Sequence, residues 1–190
     1  MSRVITVSRN FPAYHPKKGL STNFPFAIWK SLIDSGMKDL WNPYISNYRG
    51  VFGQELPDFD TITPKHHTIR AGNRHRVGDK ISLRTWGNDI NPKSGRSGPY
   101  HSKQIILCPD IEVKRVWDFG ITAINRDLPG DYEAYFRINY KAFYLNSLGT
   151  DTFREVAKND GLLFPDFLNW FQYPEEFTGQ IICWNENINY

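Results

Sequence analysis

The sequence predicts an α+β fold, built as one domain around a mixed β-barrel with flanking helices. Candidate strands fill the middle of the chain, candidate helices lie on both sides of them, and a last strand follows near the C-terminal end. The length of 190 residues is ordinary for one domain and short for two large ones. Hydrophobic residues make up 40% of the chain and charged residues 23%, as in ordinary globular proteins.

The first 60 residues are expected to form an aromatic-rich extension made of helix and loop. Val4–Val7 reads as a short strand. Thr22 or Asn23 caps a helix whose apolar residues recur at helical spacing, with a proline in its first turn and Gly36 at its end. Residues 39–60 are aromatic and loop-like, and the sequence assigns no element to them.

From His66 onward the chain is β-rich, with runs of apolar and β-branched residues separated by turn signals. The candidate strands are His67–Arg70, Lys80–Trp86, Gln104–Leu107, Ile111–Asn125 and Glu133–Asn146. The fourth is long and is expected to be bent or bulged. The fifth has a helical alternative over Tyr132–Leu145. Glycine and proline between Asn88 and Tyr100 predict a mobile surface loop.

The C-terminal part is predicted to hold two helices and the closing strand. One helix begins at Thr150 and ends at Gly161. The second covers Leu162–Phe171, with Pro165 in its first turn, where proline is tolerated. Thr178–Trp184 reads as the closing strand.

Charge is concentrated in the central segment. Between Lys65 and Lys103 the sequence has nine Lys or Arg residues and two acidic ones, with Trp86 and Tyr100 interleaved. A basic segment with aromatic residues is typical of a surface that binds a polyanion such as nucleic acid. A solvated basic face is the structural alternative.

Several classes of site are not indicated by the sequence. Cys108 and Cys183 lie far apart in apolar runs, so each is expected to be a buried free thiol. The histidines lack zinc-site spacing and the glycines form no phosphate-binding fingerprint, so neither a metal nor a cofactor is predicted. The N-terminus lacks the apolar core of a signal peptide, and no apolar stretch approaches the roughly 20 residues that span a bilayer. A cytoplasmic protein without membrane contact is expected.

One motif stands at the start of the basic segment. Lys65–Arg70 reads K-H-H-T-I-R, which is K-x-x-T-x-R, and Val77–Lys80 follows it as V-G-D-K. This pattern resembles that of the ASCH domain family of the PUA-like superfamily, G-x-K-x-x-T-x-R followed by a G-D turn into a barrel strand. The sequence departs from the family where Thr63 and Pro64 stand in place of the expected glycine.

Later segments extend the resemblance to roughly residues 60–185. Val156–Leu162 resembles the family's helix with an acidic residue before a glycine, and Asp166–Phe171 resembles the aromatic-rich helix that follows it. Gln180–Trp184 is similar to the closing strand. The resemblance implies a PUA-like, ASCH-type mixed β-barrel over residues 60–190, with residues 1–60 as the N-terminal extension.

The ASCH family includes enzymes that remove the acetyl group from N4-acetylcytidine, in which a motif Lys, a motif Thr and a later Glu act together. The resemblance implies that Lys65, Thr68 and Asp160 hold these positions here, with Asp in place of Glu. Thr68 would be the nucleophile and Lys65 its base if burial makes the amine neutral near pH 7. Asp160 would orient Lys65 or shuttle the proton. The structural alternative is a Lys65–Asp160 salt bridge that ties a helix to the barrel.

The preferred function is recognition of a nucleobase or nucleic acid, such as RNA or a modified nucleoside. PUA-like barrels accept a base that is read by edge hydrogen bonds and stacking. Trp86 and Tyr100 are the stacking candidates, although core packing is an alternative for Trp86. The basic candidates for the ligand's carbonyl, base edge or phosphates are Arg70, Arg74, Arg76 and Lys103.

A protein-interaction role is the remaining hypothesis, centred on the aromatic residues of the extension. Tryptophan and tyrosine are frequent hot-spot residues at interfaces. The alternative is that these rings pack on the barrel and build its core. The residues concerned are Trp29, Trp41, Tyr44, Tyr48 and Phe52.

Overall fold

The fold mixes helices and strands, as the α+β prediction requires. The structure, a computed structural model, describes residues 2–37, 42–123, 134–139, 141–144, 150–171 and 176–190. The helices are α1 (Phe24–Asp34), α2 (Asn42–Phe52), α3 (Thr150–Asn159) and α4 (Phe164–Trp170), and a 3-10 turn covers Phe59–Thr61. The strands are β1 (Arg3–Thr6), β2 (His67–Ala71), β3 (Lys80–Trp86), β4 (Gln104–Ile106), β5 (Ile111–Glu112), β6 (Arg115–Ala123), β7 (Ala134–Ile138), β8 (Lys141–Tyr144) and β9 (Glu176–Cys183).

The strands form two sheets. The first has the order β1-β3-β4, with β5 also paired to β3, and its β1–β3 pair is parallel. The second has the order β2-β9-β6-β7-β8 and is antiparallel throughout. In the residues described, neither sheet closes on itself, so the α+β class is confirmed and the β-barrel is not. Strands β1 and β2 stand at the ends of their sheets, and the Arg70 side chain joins them by donating to the Thr6 carbonyl oxygen.

The predicted long strand over Ile111–Asn125 is two strands with different partners. The amide of Val113 donates to Asp79 O at 2.9 Å, on the side of the first sheet. The next amide, that of Lys114, donates to Cys183 O at 2.8 Å, in the second sheet. The chain therefore passes from the first sheet to the second between Val113 and Lys114. The sequence pattern predicted a bend or bulge within this range. The last residues of the predicted range, 124 and 125, lie outside the described part.

The region with a helical alternative is a β-hairpin. Strands β7 and β8 pair antiparallel, and Asn139 at the turn adopts a φ of 53°, which asparagine tolerates better than most residues. The helical interpretation of Tyr132–Leu145 is wrong for the described residues, because Ala134–Ile138 pairs with β6 and Lys141–Tyr144 pairs with β7. Residues 133, 140 and 145–146 of the predicted strand lie outside the described part of the chain.

A helix, α2, lies within the segment 39–60, to which the sequence pattern assigns no element. Ile45, Tyr48 and Phe52 recur at the spacing of one helical face, and they pack towards the hydrophobic core. The weak helix propensity of Asn42–Phe52, which includes Gly50 and three asparagine or proline positions, obscured this pattern. Tertiary packing therefore stabilises α2 more than its own sequence does.

The N-terminal residues are built into the core. Strand β1 pairs with β3, and one hydrophobic cluster joins α1 and α2 to strands of both sheets and to α3 and α4. Trp29 is 2% exposed and its Nε1 donates to Leu107 O at 2.6 Å, while Tyr48 is 1% exposed. These rings are therefore not available at the surface. Tyr44 and Phe52 are half-buried, and Trp41 lies outside the described residues.

Two simpler expectations have clear outcomes. Cys108 and Cys183 are both buried and free, as predicted from their apolar surroundings. Across the described ranges, none of the helices combines the length and the apolar character needed to cross a membrane.

Candidate functional site

A cavity of about 180 Å³ lies between β1 and β2, the end strands of the two sheets. Its polar lining includes four residues that the sequence analysis selected, and its other walls are largely aromatic and aliphatic. The lining residues are Thr6, Val7, Ser8, Phe24, Lys65, Thr68, Ile69, Arg70, Trp86, Pro99, Asp160, Trp170 and Phe171.

Backbone geometry brings Lys65 and Asp160 together although 95 positions separate them. Lys65 lies just before β2 and forms an antiparallel bridge with Asp160, which follows α3. The Lys65 amide also donates to Ala27 O on α1 at 2.9 Å. Gly161 ends α3 with a φ of +74°, and a Cβ there would lie 3.1 Å from Lys65 Cβ. Glycine therefore allows both the turn and the close approach to Lys65.

The side chains of Lys65 and Asp160 form a buried ion pair. Lys65 Nζ donates to Asp160 Oδ1 at 2.5 Å and to the carbonyl oxygen of the same residue at 2.7 Å. Lys65 is 1% exposed and Asp160 5% exposed. The ammonium also lies 4.1 Å from the centre of the Phe24 ring. An ammonium has three N–H donors, so one remains for a carbonyl oxygen that enters the cavity.

Burial shifts the charge balance of this pair towards its neutral form. Desolvation lowers the pKa of the Lys65 ammonium to about 8, although Asp160 opposes the shift. Desolvation likewise raises the pKa of the Asp160 carboxyl, against the opposing effect of Lys65 and Arg70. A neutral amine is therefore accessible near physiological pH, which a general base requires.

Thr68 and Arg70 follow on β2, two residues apart and hence on one face of the strand. Thr68 is 4% exposed, and among the described residues no hydrogen bond joins its hydroxyl to Lys65. Burial lowers the pKa of the Arg70 guanidinium, with Asp160 opposing, and one of its nitrogens donates to Thr6 O. Its planar fork retains other N–H donors that suit a carbonyl or phosphate oxygen.

The aromatic candidates occupy different positions at the site. Trp86, at the end of β3, is half-buried and lines the cavity, rather than belonging to the core. Tyr100 lies on the following loop, is 87% exposed and stands with its ring centre 5.4 Å from that of Trp86. Pro99, from the same loop, borders the cavity. The loop therefore brings an exposed ring to the side of the entrance where Trp86 lies.

The remaining basic candidates lie outside the cavity lining. Arg74, Arg76 and Lys103 are all exposed. Arg76 donates to Asn73 O at 2.8 Å and to His75 O at 2.9 Å, so it stabilises its own loop. The carbonyl oxygen of Lys103 accepts from the Gly87 amide at 2.8 Å, directly after the strand that carries Trp86. Lys103 is thus the basic candidate whose backbone is joined to the Trp86 strand.

Sequence reasoning missed several residues of the site. Phe24, Trp170 and Phe171 line the cavity from α1 and the end of α4. His67 is 0% exposed and its Nδ1 lies 3.6 Å from Asp160 Oδ1. The available signal for His67 was its place inside the motif, one residue before Thr68. In the part of the chain that is described, no group of three His, Cys, Asp or Glu side chains could hold a metal ion.

Comparison with known proteins identifies no relative of this chain. No protein-family model, no curated protein sequence and no solved structure matches the chain. The resemblance to the ASCH family therefore depends on the motif residues and their order alone.

Proposed function

We propose that this protein recognises a single nucleobase, in RNA or in a modified nucleoside, and that the base enters the cavity between β1 and β2. The observation that carries the proposal is the convergence of Lys65, Thr68, Arg70, Trp86 and Asp160 on one cavity, although they span nearly a hundred positions of sequence. The proposal includes an ASCH-type, PUA-like relationship for residues 60–185, which the order of the motif residues supports.

The size and the lining of the cavity favour a base over a larger ligand. Pockets for drug-sized molecules have volumes of about 300–1,000 Å³, whereas this cavity has about 180 Å³. A planar heterocycle is held by aromatic faces such as that of Trp86 and by hydrogen bonds along its edge. The third N–H of Lys65, the Thr68 hydroxyl and the free donors of Arg70 supply those hydrogen bonds.

The exposed basic residues suit a nucleic-acid strand, of which the base in the cavity would be one part. Lys103, Arg74 and Arg76 are positioned at the surface and are able to contact phosphates, which contribute affinity without sequence preference. Tyr100 offers an open ring for a neighbouring base. A cytoplasmic location is part of the proposal, because both cysteines are free thiols and reducing compartments maintain that state.

Removal of the Trp86 ring is expected to weaken binding of a short single-stranded RNA. Base–aromatic stacking contributes about 1–3 kcal/mol per base, so Trp86→Ala should raise the Kd roughly 5- to 150-fold. Fluorescence anisotropy with a labelled cytidine-containing oligonucleotide, measured across a salt series, provides the Kd. Lys103→Gln should weaken binding less and should flatten the salt dependence.

Lys80→Gln is the matched control for this experiment. Lys80 is an exposed lysine at the opposite end of β3 from Trp86, about 20 Å away at 3.3 Å per residue. Its removal should leave the Kd close to that of the wild type. If Trp86→Ala and Lys80→Gln bind alike, the base does not stack on Trp86 and the proposed location is wrong.

A second candidate function is hydrolysis of an N4-acylated cytidine. The observation that favours it is the buried Lys65–Asp160 pair, in which the pKa of Lys65 is lowered to about 8, in the same cavity as Thr68. Neutral Lys65 would accept the Thr68 proton while the hydroxyl oxygen attacks the acyl carbonyl carbon. The carbonyl–N4 bond then breaks, the cytosine amino group takes a proton, and water hydrolyses the acyl ester on Thr68.

Turnover, if this candidate is right, should depend on the neutral form of Lys65. Only the neutral amine accepts a proton, so kcat/KM is expected to rise as the pH is raised towards about 8 and to level off above it. Lys65→Ala should lower kcat/KM by about 10²–10⁴-fold, the usual contribution of a general base. Chromatography of N4-acetylcytidine reactions measures the cytidine released, with Lys80→Gln as the active control. Absence of release by the wild type at high protein concentration would exclude hydrolysis of this substrate.

A further inference from the structure

His67 is a buried histidine that lies between α3 and the Lys65–Asp160 pair. Its Nε2 is 3.2 Å from the carbonyl oxygen of Val156, a residue of α3. Its Nδ1 is 3.6 Å from Asp160 Oδ1, and within the described residues this nitrogen has no hydrogen-bond partner. A buried polar atom without a partner is rare in folded proteins and calls for a physical reason.

The contact with Val156 fixes the tautomer of His67. A carbonyl oxygen can only accept, so Nε2 carries the hydrogen, and in the neutral ring Nδ1 is a bare acceptor. Burial, reinforced by the nearby Lys65, holds the pKa of His67 well below its ordinary value, so the ring is neutral at pH 7. Two acceptors, His67 Nδ1 and Asp160 Oδ1, therefore face each other. A proton on the carboxyl oxygen would turn this repulsive contact into a hydrogen bond.

We propose that Lys65, Asp160 and His67 form a proton-sharing chain, in which His67 Nδ1 accepts a hydrogen bond from Asp160 in the form of the pair whose single proton lies on Asp160 and not on Lys65. One proton moves from Lys65 Nζ to Asp160 Oδ1, so that an ammonium and a carboxylate become an amine and a carboxylic acid. The charge of the pair sums to zero in both forms. The 3.6 Å contact closes to hydrogen-bond length when Oδ1 receives the proton.

The groups around the chain are compatible with this exchange. Tyr190 packs its ring edge-on against the His67 ring, and burial raises the pKa of its hydroxyl, which keeps it uncharged. The His66 ring is turned to Ser31 and Asn185, and burial lowers its pKa. The charged residues nearest to these groups are Arg70 beside Asp160 and the exposed Glu155 and Lys158 of α3. Arg70 favours the Asp160 carboxylate, whereas the bare Nδ1 of His67, 3.6 Å from Oδ1, favours the acid.

His67 is thereby a positioning residue, which acts on the ligand only through Asp160 and Lys65. Its acceptor lowers the free energy of the form in which Lys65 is a neutral amine. Use of that amine in turnover rests on the hydrolytic function proposed above. The proton-sharing chain itself needs no ligand, so it can be tested separately from that function.

The test is the protonation state of Lys65 in the ligand-free protein at a pH about two units below its pKa of about 8, where the pair keeps its one proton, followed by NMR of ¹³C-labelled lysine side chains. His67→Phe keeps a buried ring but removes the acceptor, so the proton returns from Asp160 to Lys65 and the Lys65 signal should move towards that of an ammonium. The ratio of the two forms should change about fivefold, the size of one net hydrogen bond. His67→Asn, whose side-chain oxygen can reach the position of Nδ1, should bring the signal back towards that of the wild type.

A purely structural role predicts no return of the proton to Lys65. Without the chain, Lys65 is already an ammonium in the wild type at this pH, so His67→Phe would leave its signal unchanged, and that result would overturn the proposal. If the variant fails to fold, the wild type still decides the matter. The ¹⁵N resonance of His67 Nδ1 should be that of a hydrogen-bonded acceptor below the pKa of about 8 and should change to that of a bare acceptor as the pair loses its proton above it, and an invariant resonance would contradict the chain.

Discussion

Asp160→Asn is expected to lower the free energy of unfolding by about 3–5 kcal/mol at pH 7, the cost of leaving one member of a buried ion pair without its partner. Lys65 is 1% exposed, and the carboxylate oxygen is its only side-chain hydrogen-bond partner among the described residues. Asparagine keeps the volume and the backbone carbonyl contact, so the lost charge dominates. Urea denaturation at pH 7 measures the difference.

A double-mutant cycle provides the control for this prediction. Lys65→Met/Asp160→Asn removes both charges, and the double variant is expected to be more stable than Asp160→Asn alone. The deficit of Asp160→Asn should also shrink as the pH is raised through about 8, the lowered pKa of Lys65, because the folded wild type then loses the paired ammonium that the variant cannot stabilise, and it should level off above that pH. If Asp160→Asn stays within about 0.5 kcal/mol of the wild type, as ordinary surface substitutions do, the pair is not buried as described.

Gly179→Ala is expected to be the most damaging single methyl addition in the second sheet. Gly179 lies on β9 opposite Ala71 of β2, and a Cβ there would stand 2.1 Å from Arg70 O and 2.8 Å from Arg70 C. These are backbone atoms, which cannot rotate away as a side chain can. Strand β2 would have to separate from β9, and the loss in unfolding free energy should exceed about 4 kcal/mol, beyond the usual range for point substitutions.

Gly120→Ala is the matched comparison for Gly179→Ala. Gly120 lies on β6, which also pairs with β9, but a Cβ there would meet its nearest atoms only at 3.7 Å, an ordinary contact. Denaturation should therefore show a small effect for Gly120→Ala and partial or complete unfolding for Gly179→Ala. Equal stability of the two variants would show that β2 and β9 are not paired in this register. Because β2 carries Thr68 and Arg70, the same shift should abolish ligand binding.

Local signals predicted much of the fold. Strand β3 was predicted with its observed bounds, because its apolar alternation is regular and Gly78 and Gly87 flank it. The ends of α1 and α3 follow from Gly36 and Gly161, whose φ values of 86° and 74° suit glycine. The change of sheets at Val113 could not be predicted, because it depends on which distant carbonyl each amide meets. Helix α2 was missed for a similar reason, since its stability comes from burial of Tyr48.

The sequence motif predicted the polar residues of the candidate site but not the residues that pack around them. The sequence motif identified four polar residues, and all four line one cavity in the structure: Lys65, Thr68, Arg70 and Asp160. The contribution of Trp170 and Phe24 depends on how α4 and α1 pack, which no local pattern encodes. The contact of His67 with Asp160 was likewise invisible, because it needs β2 and the end of α3 to be placed side by side.

The most direct test of the central claim is an NMR titration of the tryptophan indole groups with cytidine and N4-acetylcytidine. Trp86 and Trp170 line the cavity, whereas Trp29 is buried in the core with its indole bonded to Leu107 O, and so serves as an internal control. Saturable shifts of the Trp86 and Trp170 signals and no shift of the Trp29 signal are expected. Unchanged Trp86 and Trp170 signals at millimolar nucleoside would contradict a nucleobase site in this cavity.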